Sequence, residues 1–381
     1  MRVIPYGHQS IDRKDINEVV RVLKSDWLTQ GSKIKEFEDA LCKYTGAKYA
    51  VAVSSGTAAL HAAIYAIGIN QGDEVIVPAI SFAASANCVV FQGGKPVFVD
   101  VQSDTLLLDP AKVEDKITDK TKAIIAVDYA GHPCDYDELR EIATRNNLFL
   151  IDDACHALGG SYKNRRVGSI ADLNIFSFHP VKHITTGEGG MITTDNPSFA
   201  EKMRVFRNHG ITTDHHQREA QGSWYYEMVD LGYNYRLTDF QCALGMSQLK
   251  KLPQWIARRQ EIARYYDKAF SEIEEVTPLK VRPEVVHAYH LYVVRFDTER
   301  IKKDRGTIFQ SLRDKGIGVN VHYIPIHLHP FYRKTFGTGS GLCPVAENAY
   351  QHILSLPMFH GLGNADVEKV IEAVKEIVRR A

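Results

Sequence analysis

Short apolar runs recur through the first half of the chain, and polar or amphipathic stretches separate them. Residues 49–53, 74–77, 96–100, 123–127 and 148–151 are rich in Val, Ile, Leu and Ala, with little alternation. Such runs predict strands buried on both faces. Helical patterns lie between several of them, among them the Ala-rich stretch 57–67 and residues 135–146. This order predicts an α/β fold with a mostly parallel central sheet covered by helices. Ahead of it, residues 12–25 predict a helix capped by Asp12 with Asp15 three residues on, and Ile16, Val19, Val20 and Leu23 form one apolar face.

The pattern changes after Arg236. Residues 238–252 predict a helix stopped by Pro253, followed by a longer helix over 254–273. A strand at 290–296, a helix at 306–315, a strand at 319–322 and two closing helices predict a smaller α+β unit. The last helix, 366–380, carries Val367, Val370, Ile371, Val374 and Ile377 at helical spacing. We therefore expect a large domain over 1–250 and a small C-terminal domain over 251–381. The polar stretch 213–223 is expected to be a mobile loop.

Composition narrows the classes. The chain has 381 residues, 46 basic and 46 acidic, so no global field draws nucleic acid or a membrane surface. No apolar run spans a bilayer and the N-terminus lacks a signal-peptide core, so a cytoplasmic location is expected. The six cysteines are scattered without a Cys-x-x-Cys pair, and the histidines form only loose groups, so no metal site is expected.

Lys182 carries the sharpest chemical signal. It follows a strand pattern at 174–178 and Pro180, and precedes the Gly187-Glu188-Gly189-Gly190 loop and another apolar strand at 191–194. A lysine between two core strands needs a reason, because burying its charge is costly. Pyridoxal phosphate (PLP) supplies one, since its aldehyde condenses with a lysine amine. Ser54-Ser55-Gly56-Thr57 joins a strand to the Ala-rich helix, a place suited to a phosphate. Asp152-Asp153-Ala154-Cys155-His156 ends a strand, where open α/β sheets place ligands. One of the two aspartates fits a pyridine nitrogen, and strand facing decides which; His156 then falls near the phenolic oxygen. Phe82 is placed to stack on a ring or to pack in the core, and Ser177 to bond a phosphate.

Taken in order, several motifs make the chain resemble the DegT/DnrJ/EryC1/StrS family of sugar aminotransferases, within the fold type I PLP enzymes. They are Leu28-Thr29-Gln30-Gly31, Ser55-Gly56-Thr57, Asp153-Ala154, Ser177-Phe178-His179 with Lys182, the 187–190 glycine loop, Gly232-Tyr233-Asn234-Tyr235-Arg236 and His322-Tyr323. The resemblance covers essentially the whole chain. It implies that Lys182 carries PLP, that Asp153 meets the pyridine nitrogen, that Ser55, Gly56, Thr57 and Ser177 hold phosphate, and that Phe82 stacks. It also implies a homodimer with shared sites. Asn234 would reach the neighbouring subunit's phosphate and Arg236 its sugar nucleotide. Tyr6, Trp27, Leu28, Thr29, Gln30, His322, Tyr323, Pro325 and His327 would complete the substrate contacts. Trp224-Tyr225-Tyr226-Glu227-Met228 and Val321-His322-Tyr323-Ile324-Pro325-Ile326-His327 resemble the branch that aminates sugars for pseudaminic acid.

The resemblance implies transfer of an amino group from L-glutamate to a nucleotide-linked 4-keto-6-deoxy sugar. Two other readings compete with it. A PLP-type sugar dehydratase carries histidine in place of the lysine, and His183 is one residue away. The Ser177-Phe178-His179-x-x-Lys182 register favours lysine. A catalytically idle regulator on the same scaffold would lose a chemical residue, yet Lys182 and Asp153 are both present.

Overall fold

The computed structural model describes residues 2–213 and 222–379. Most of the predicted loop at 213–223 therefore lies outside the described residues, with His215 and His216. The chain opens with helix α1 (Arg13–Leu23) and α2 (Ser32–Thr45). The larger layer then runs β1 (Tyr49–Val53), α3 (Gly56–Ala66), β2 (Glu74–Pro78), α4 (Ala84–Phe91), β3 (Lys95–Val99), β4 (Thr121–Val127), α5 (Tyr136–Arg145), β5 (Phe149–Asp153), β6 (Leu173–Ser177), β7 (Gly190–Thr194) and α6 (Pro197–Phe206). The sheet order is β1-β7-β6-β5-β4-β2-β3. Five of these strands, β2 to β6, are mutually parallel. β7 runs antiparallel between β1 and β6. The sheet is mostly parallel, as the apolar runs predict.

Beyond it come α7 (Asp239–Leu249), α8 (Leu252–Phe270), β8 (Val276–Pro278), β9 (Tyr292–Phe296), α9 (Arg305–Asp314), α10 (Pro344–His352), β10 (Ile353–Leu356) and α11 (Asn364–Arg379). β8, β9 and β10 form an antiparallel sheet. A second apolar cluster gathers here, with Ile262, Phe270, Val294, Phe296, Leu312, Val370 and Val374 fully enclosed.

Four local expectations change. Pro253 does not stop a helix; it sits in the first turn of α8, where its missing N–H costs nothing. Residues 319–322 do not form a strand; Asn320 makes one isolated bridge to Ser355. Between the two closing helices lies β10, which the sequence pattern does not reveal. The fourth change concerns α1. Its predicted capping box is present, with Asp12 accepting from the Lys14 and Asp15 amides. Yet the side turned inward carries Asp15, which accepts from Ser247, Gln248 and Lys251 at 2.6, 2.8 and 2.8 Å. Ile16, Val20 and Leu23 lie exposed instead.

Candidate active site

The parallel strands deliver their carboxyl ends to one edge, and the loops that leave them wall a cavity of about 630 Å³. β1 leads into Ser55, Gly56 and Thr57; β2 into Ser81 and Phe82; β5 into Asp153, Cys155 and His156; β6 into Ser177, His179 and Lys182. The opposite wall comes from the smaller unit, through His290, Asn320, His322 and Tyr323, with Tyr6 from the N-terminal segment.

The phosphate-like corner is the start of α3. Ser55 caps this helix, its Oγ accepting from the Ala58 amide at 3.1 Å. Its unpaired first-turn amides give that end a partial positive charge. Gly56 is needed for room: a Cβ there would lie 2.9 Å from the Ser177 Cβ and 3.4 Å from the Cys155 Sγ. Gly190 faces the same constraint, since its Cβ would strike the Ser55 carbonyl.

Lys182 follows β6 in a turn closed by its amide donating to the His179 carbonyl at 2.9 Å. Burial lowers its pKa, opposed by the charges of Cys155 and Asp153. A larger share of neutral amine results, the form that attacks carbonyl carbon. Asp153 lines the same cavity and Asp152 does not. Adjacent strand residues face opposite ways, so only one of the pair reaches the site. The Ser85 hydroxyl donates to Asp153 Oδ2 at 2.6 Å and is itself 2.6 Å from the Ser81 hydroxyl. The Cys155 amide donates to Oδ1 at 3.3 Å. Two neutral donors thus fix the carboxylate without neutralising it.

Phe82 is 60% exposed, too open for a core side chain, and its ring lies 6.1 Å from that of Tyr323. His156 is enclosed. Its Nε2 lies 3.0 Å from the Tyr323 Oη, and its Nδ1 has no hydrogen-bond partner among the described residues. Burial pushes its pKa well below the usual value, helped by Lys182, so the ring is neutral. His322 is held by Ser355 at 2.8 Å and is likewise pushed down, to about 3, by burial.

Eleven of the residues singled out from sequence therefore meet in this cavity, from Tyr6 to Tyr323. The others do not. Leu28 and Thr29 pack beside the start of α7: the Leu28 carbonyl accepts from the Asp239 amide, and Thr29 bridges to Thr238. Trp27 is exposed and lies outside the cavity. Gln30 and Arg236 line a second cavity of about 610 Å³ with Arg204 and Arg207. Arg236 donates to the Asn208 side chain at 2.8 Å, and Asn234 bridges to Asn208. Pro325 is buried in the turn that sends the Ile326 amide to the Ala79 carbonyl. His327 is fully buried and 2.9 Å from Glu347, a structural pairing. Ser85 and His290 were missed. Ser85 bears no motif and acts only through Asp153. His290 reads as the first residue of a strand.

A model of the DegT/DnrJ/EryC1/StrS aminotransferase family matches residues 9–375. The spore coat polysaccharide biosynthesis protein SpsC of Bacillus subtilis is 42% identical over 99% of this chain and 98% of its own. Spr1654 from Streptococcus pneumoniae, solved in its PMP form, superposes with a TM-score of 0.93 at 35% identity over 99% of both chains. Helicobacter pylori PseC, an aminotransferase involved in pseudaminic acid biosynthesis, superposes with a TM-score of 0.93 at 33% identity over the full length of both chains. With its lysine, carboxylate and helix start gathered at one sheet edge, the chain belongs to the DegT/DnrJ/EryC1/StrS aminotransferase family.

Proposed function

We propose that this protein moves an amino group from L-glutamate to the C4 keto group of a nucleotide-linked 4-keto-6-deoxy sugar, with PLP held in the Lys182 cavity. UDP-2-acetamido-2,6-dideoxy-β-L-arabino-hexos-4-ulose is the substrate to test first, given the similarity to PseC. The observation that carries the reading is the placement of Lys182 and Asp153 in one cavity beside the start of α3.

The residues fit the cofactor. The Gly56 corner admits a phosphate that a side chain would exclude. Asp153, carrying only neutral donors, keeps an acceptor for a ring N–H. PLP, once bound, supplies the electron sink that makes a Cα–H bond of the donor acidic. Lys182 would hold the cofactor, and its amine, kept neutral more readily by burial, would take up and return the proton. Phe82 would cover the ring from the open side and limit water.

Two further proposals complete the reading. Residues 1–250 form the cofactor-binding domain and 251–381 the smaller one. The protein works as a cytoplasmic homodimer in which Asn234 and Arg236 serve the partner's site. Neither lines its own Lys182 cavity. The segment that leads to them exposes Trp224, Met228, Val229 and Leu231, each at 59% or more. So many exposed apolar side chains along one short segment suit an interaction site. The exposed stripe of α1 offers a second such area.

The test is product analysis. PLP-loaded protein is incubated with glutamate and a panel of UDP-, GDP- and dTDP-linked 4-keto and 3-keto sugars, and amino sugars are identified by mass spectrometry. An amino sugar from a 3-keto substrate alone would replace the C4 reading. No product with any member, despite a PLP band that glutamate shifts, would remove the sugar acceptor from the proposal.

A further inference from the structure

His61 lies on α3, the helix that Gly56 opens, and is only 2% exposed. It is the one imidazole in an otherwise Ala-rich helix, and its neighbours show what it holds. Its Nδ1 lies 3.2 Å from the Tyr235 Oη, and its Nε2 lies 2.7 Å from the Gln92 side-chain nitrogen. Its ring meets Phe206 edge-on at 5.0 Å and lies 5.1 Å from Tyr233. Tyr233 and Tyr235 stack on each other at 5.0 Å, so they share one side of their segment, as alternate residues of an extended course do. Asn234, between them, is exposed, and Arg236 lines the second cavity. The Tyr235 backbone is held as well. Its amide donates to the Arg207 carbonyl at 3.0 Å, and its carbonyl accepts from the Ser54 amide at 2.8 Å. Tyr235 is thus pinned at its hydroxyl, its amide and its carbonyl, and the residues on either side of it are set in direction.

We infer that His61 is a positioning residue for the neighbouring subunit's site: it holds Tyr235 against α3, and Tyr235 fixes the directions in which Asn234 and Arg236 leave their own subunit. The inference rests on the shared-site reading proposed above. One helix then has two duties. Its first turn forms the phosphate corner of its own site, and its middle anchors the arm that reaches the other. The two duties make opposite predictions about which subunit suffers when His61 is changed.

An exchange of full-length subunits tests this. Differently tagged subunits are mixed, and the mixed dimers are isolated. PLP is titrated in, borohydride fixes it to Lys182, and mass spectrometry counts the lysine-bound cofactor. A Lys182→Ala subunit therefore contributes no signal from its own site. In homodimers, His61→Gln should weaken PLP on the order of 5-fold, the worth of one neutral hydrogen bond. In a mixed dimer of His61→Gln with Lys182→Ala, the surviving lysine receives its arm from the subunit whose His61 is intact. Affinity should return to within about 2-fold of wild type. With both changes in one subunit and a wild-type partner, the surviving lysine receives the altered arm, and the loss of about 5-fold should reappear. Tyr235→Phe keeps the ring and removes only the hydroxyl; it should follow the same pattern, and it carries the test if His61→Gln does not fold. Unchanged affinity in both homodimers overturns the inference, as does a loss that stays with the lysine of the altered subunit. Asn234→Ala, taken through the same exchange, separates the two readings. If its loss does not cross to the partner, or if no dimer forms, the shared site fails. If its loss crosses and those of His61→Gln and Tyr235→Phe do not, the positioning role alone fails.

Discussion

Asp152→Asn is the most informative single change, because it separates two neighbouring aspartates by physics alone. Asp152 lies on β5 and Asp128 directly follows the neighbouring strand β4, both fully buried. Asp128 Oδ1 accepts from the Tyr136 hydroxyl at 2.7 Å and the Cys134 amide at 2.8 Å. Its Oδ2 and both oxygens of Asp152 have no partner among the described residues. Two such carboxylates cannot both ionise without a cation. Burial raises Asp128 to about 7, and pushes Asp152 up, with Asp128 adding to the shift. The sign follows from proton counting. Between the unfolded carboxyl range near 4 and pH 7, the native pair keeps a proton that the unfolded chain has released. The pair's contribution is thus fullest below pH 4 and is lost as pH rises toward and past 7, at about 1.4 kcal/mol per pH unit for one retained proton. Asparagine at 152 does not ionise, and its amide donates to the unpaired Asp128 oxygen. The PLP-free variant should match wild type near pH 4 and exceed it increasingly as pH rises, with a shallower fall in urea midpoint between pH 5 and 8.5. PLP affinity should stay within about 2-fold, since Asp152 faces away from the cavity. A variant destabilised by about 2 kcal/mol or more at every pH would refute the protonated pair.

Lys182→Ala should abolish turnover while leaving the fold and the oligomeric state unchanged by circular dichroism and light scattering; full activity would sink the assignment. Asp153→Asn should slow the reaction with glutamate about 100-fold while keeping some PLP, because it removes a preorganised charge; a normal stopped-flow rate would move that role elsewhere. Gly56→Ala should weaken PLP about 10-fold or more, since the added Cβ lies 2.9 Å from Ser177, and an unchanged titration would show that the helix start does not hold the phosphate. Mixing Lys182→Ala subunits with Asn234/Arg236 double variants should restore partial activity, since one site per mixed dimer then combines intact groups; mixed dimers without activity would refute the shared site.

Why some of this was legible and some was not has a physical pattern. Strands β1, β2, β4 and β5 announce themselves because both faces are buried and their central positions are apolar. α2 escaped notice because its inner face mixes Phe37 and Leu41 with Glu38, a carboxylate buried because it accepts the Ala52 amide and pairs with Arg207. α4 escaped for the opposite reason: Ala84–Phe91 is apolar nearly all round, so it shows no helical period. β10 follows α10 with no turn residue between them, and only its pairing with β9 defines it.

The candidate site divides along the same line. Lys182, Gly56 and Asp153 stand out because each breaks the rule of its own neighbourhood: a lysine between core strands, a glycine opening a helix, acids ending an apolar run. Their supports break no rule. Ser85 is an ordinary serine in an apolar helix until Asp153 is brought to it from 68 residues away. Tyr323 finds His156 across 167 residues. Residues that perform chemistry are conspicuous in a sequence because they conflict with local preference, whereas the residues that aim them satisfy it. The exposed stripe of α1 extends this to the surface. Ile16, Val20 and Leu23 obey the rule for an amphipathic helix, yet they face outward, while Asp15 takes the buried place. What the periodicity cannot encode is which way the apolar face turns.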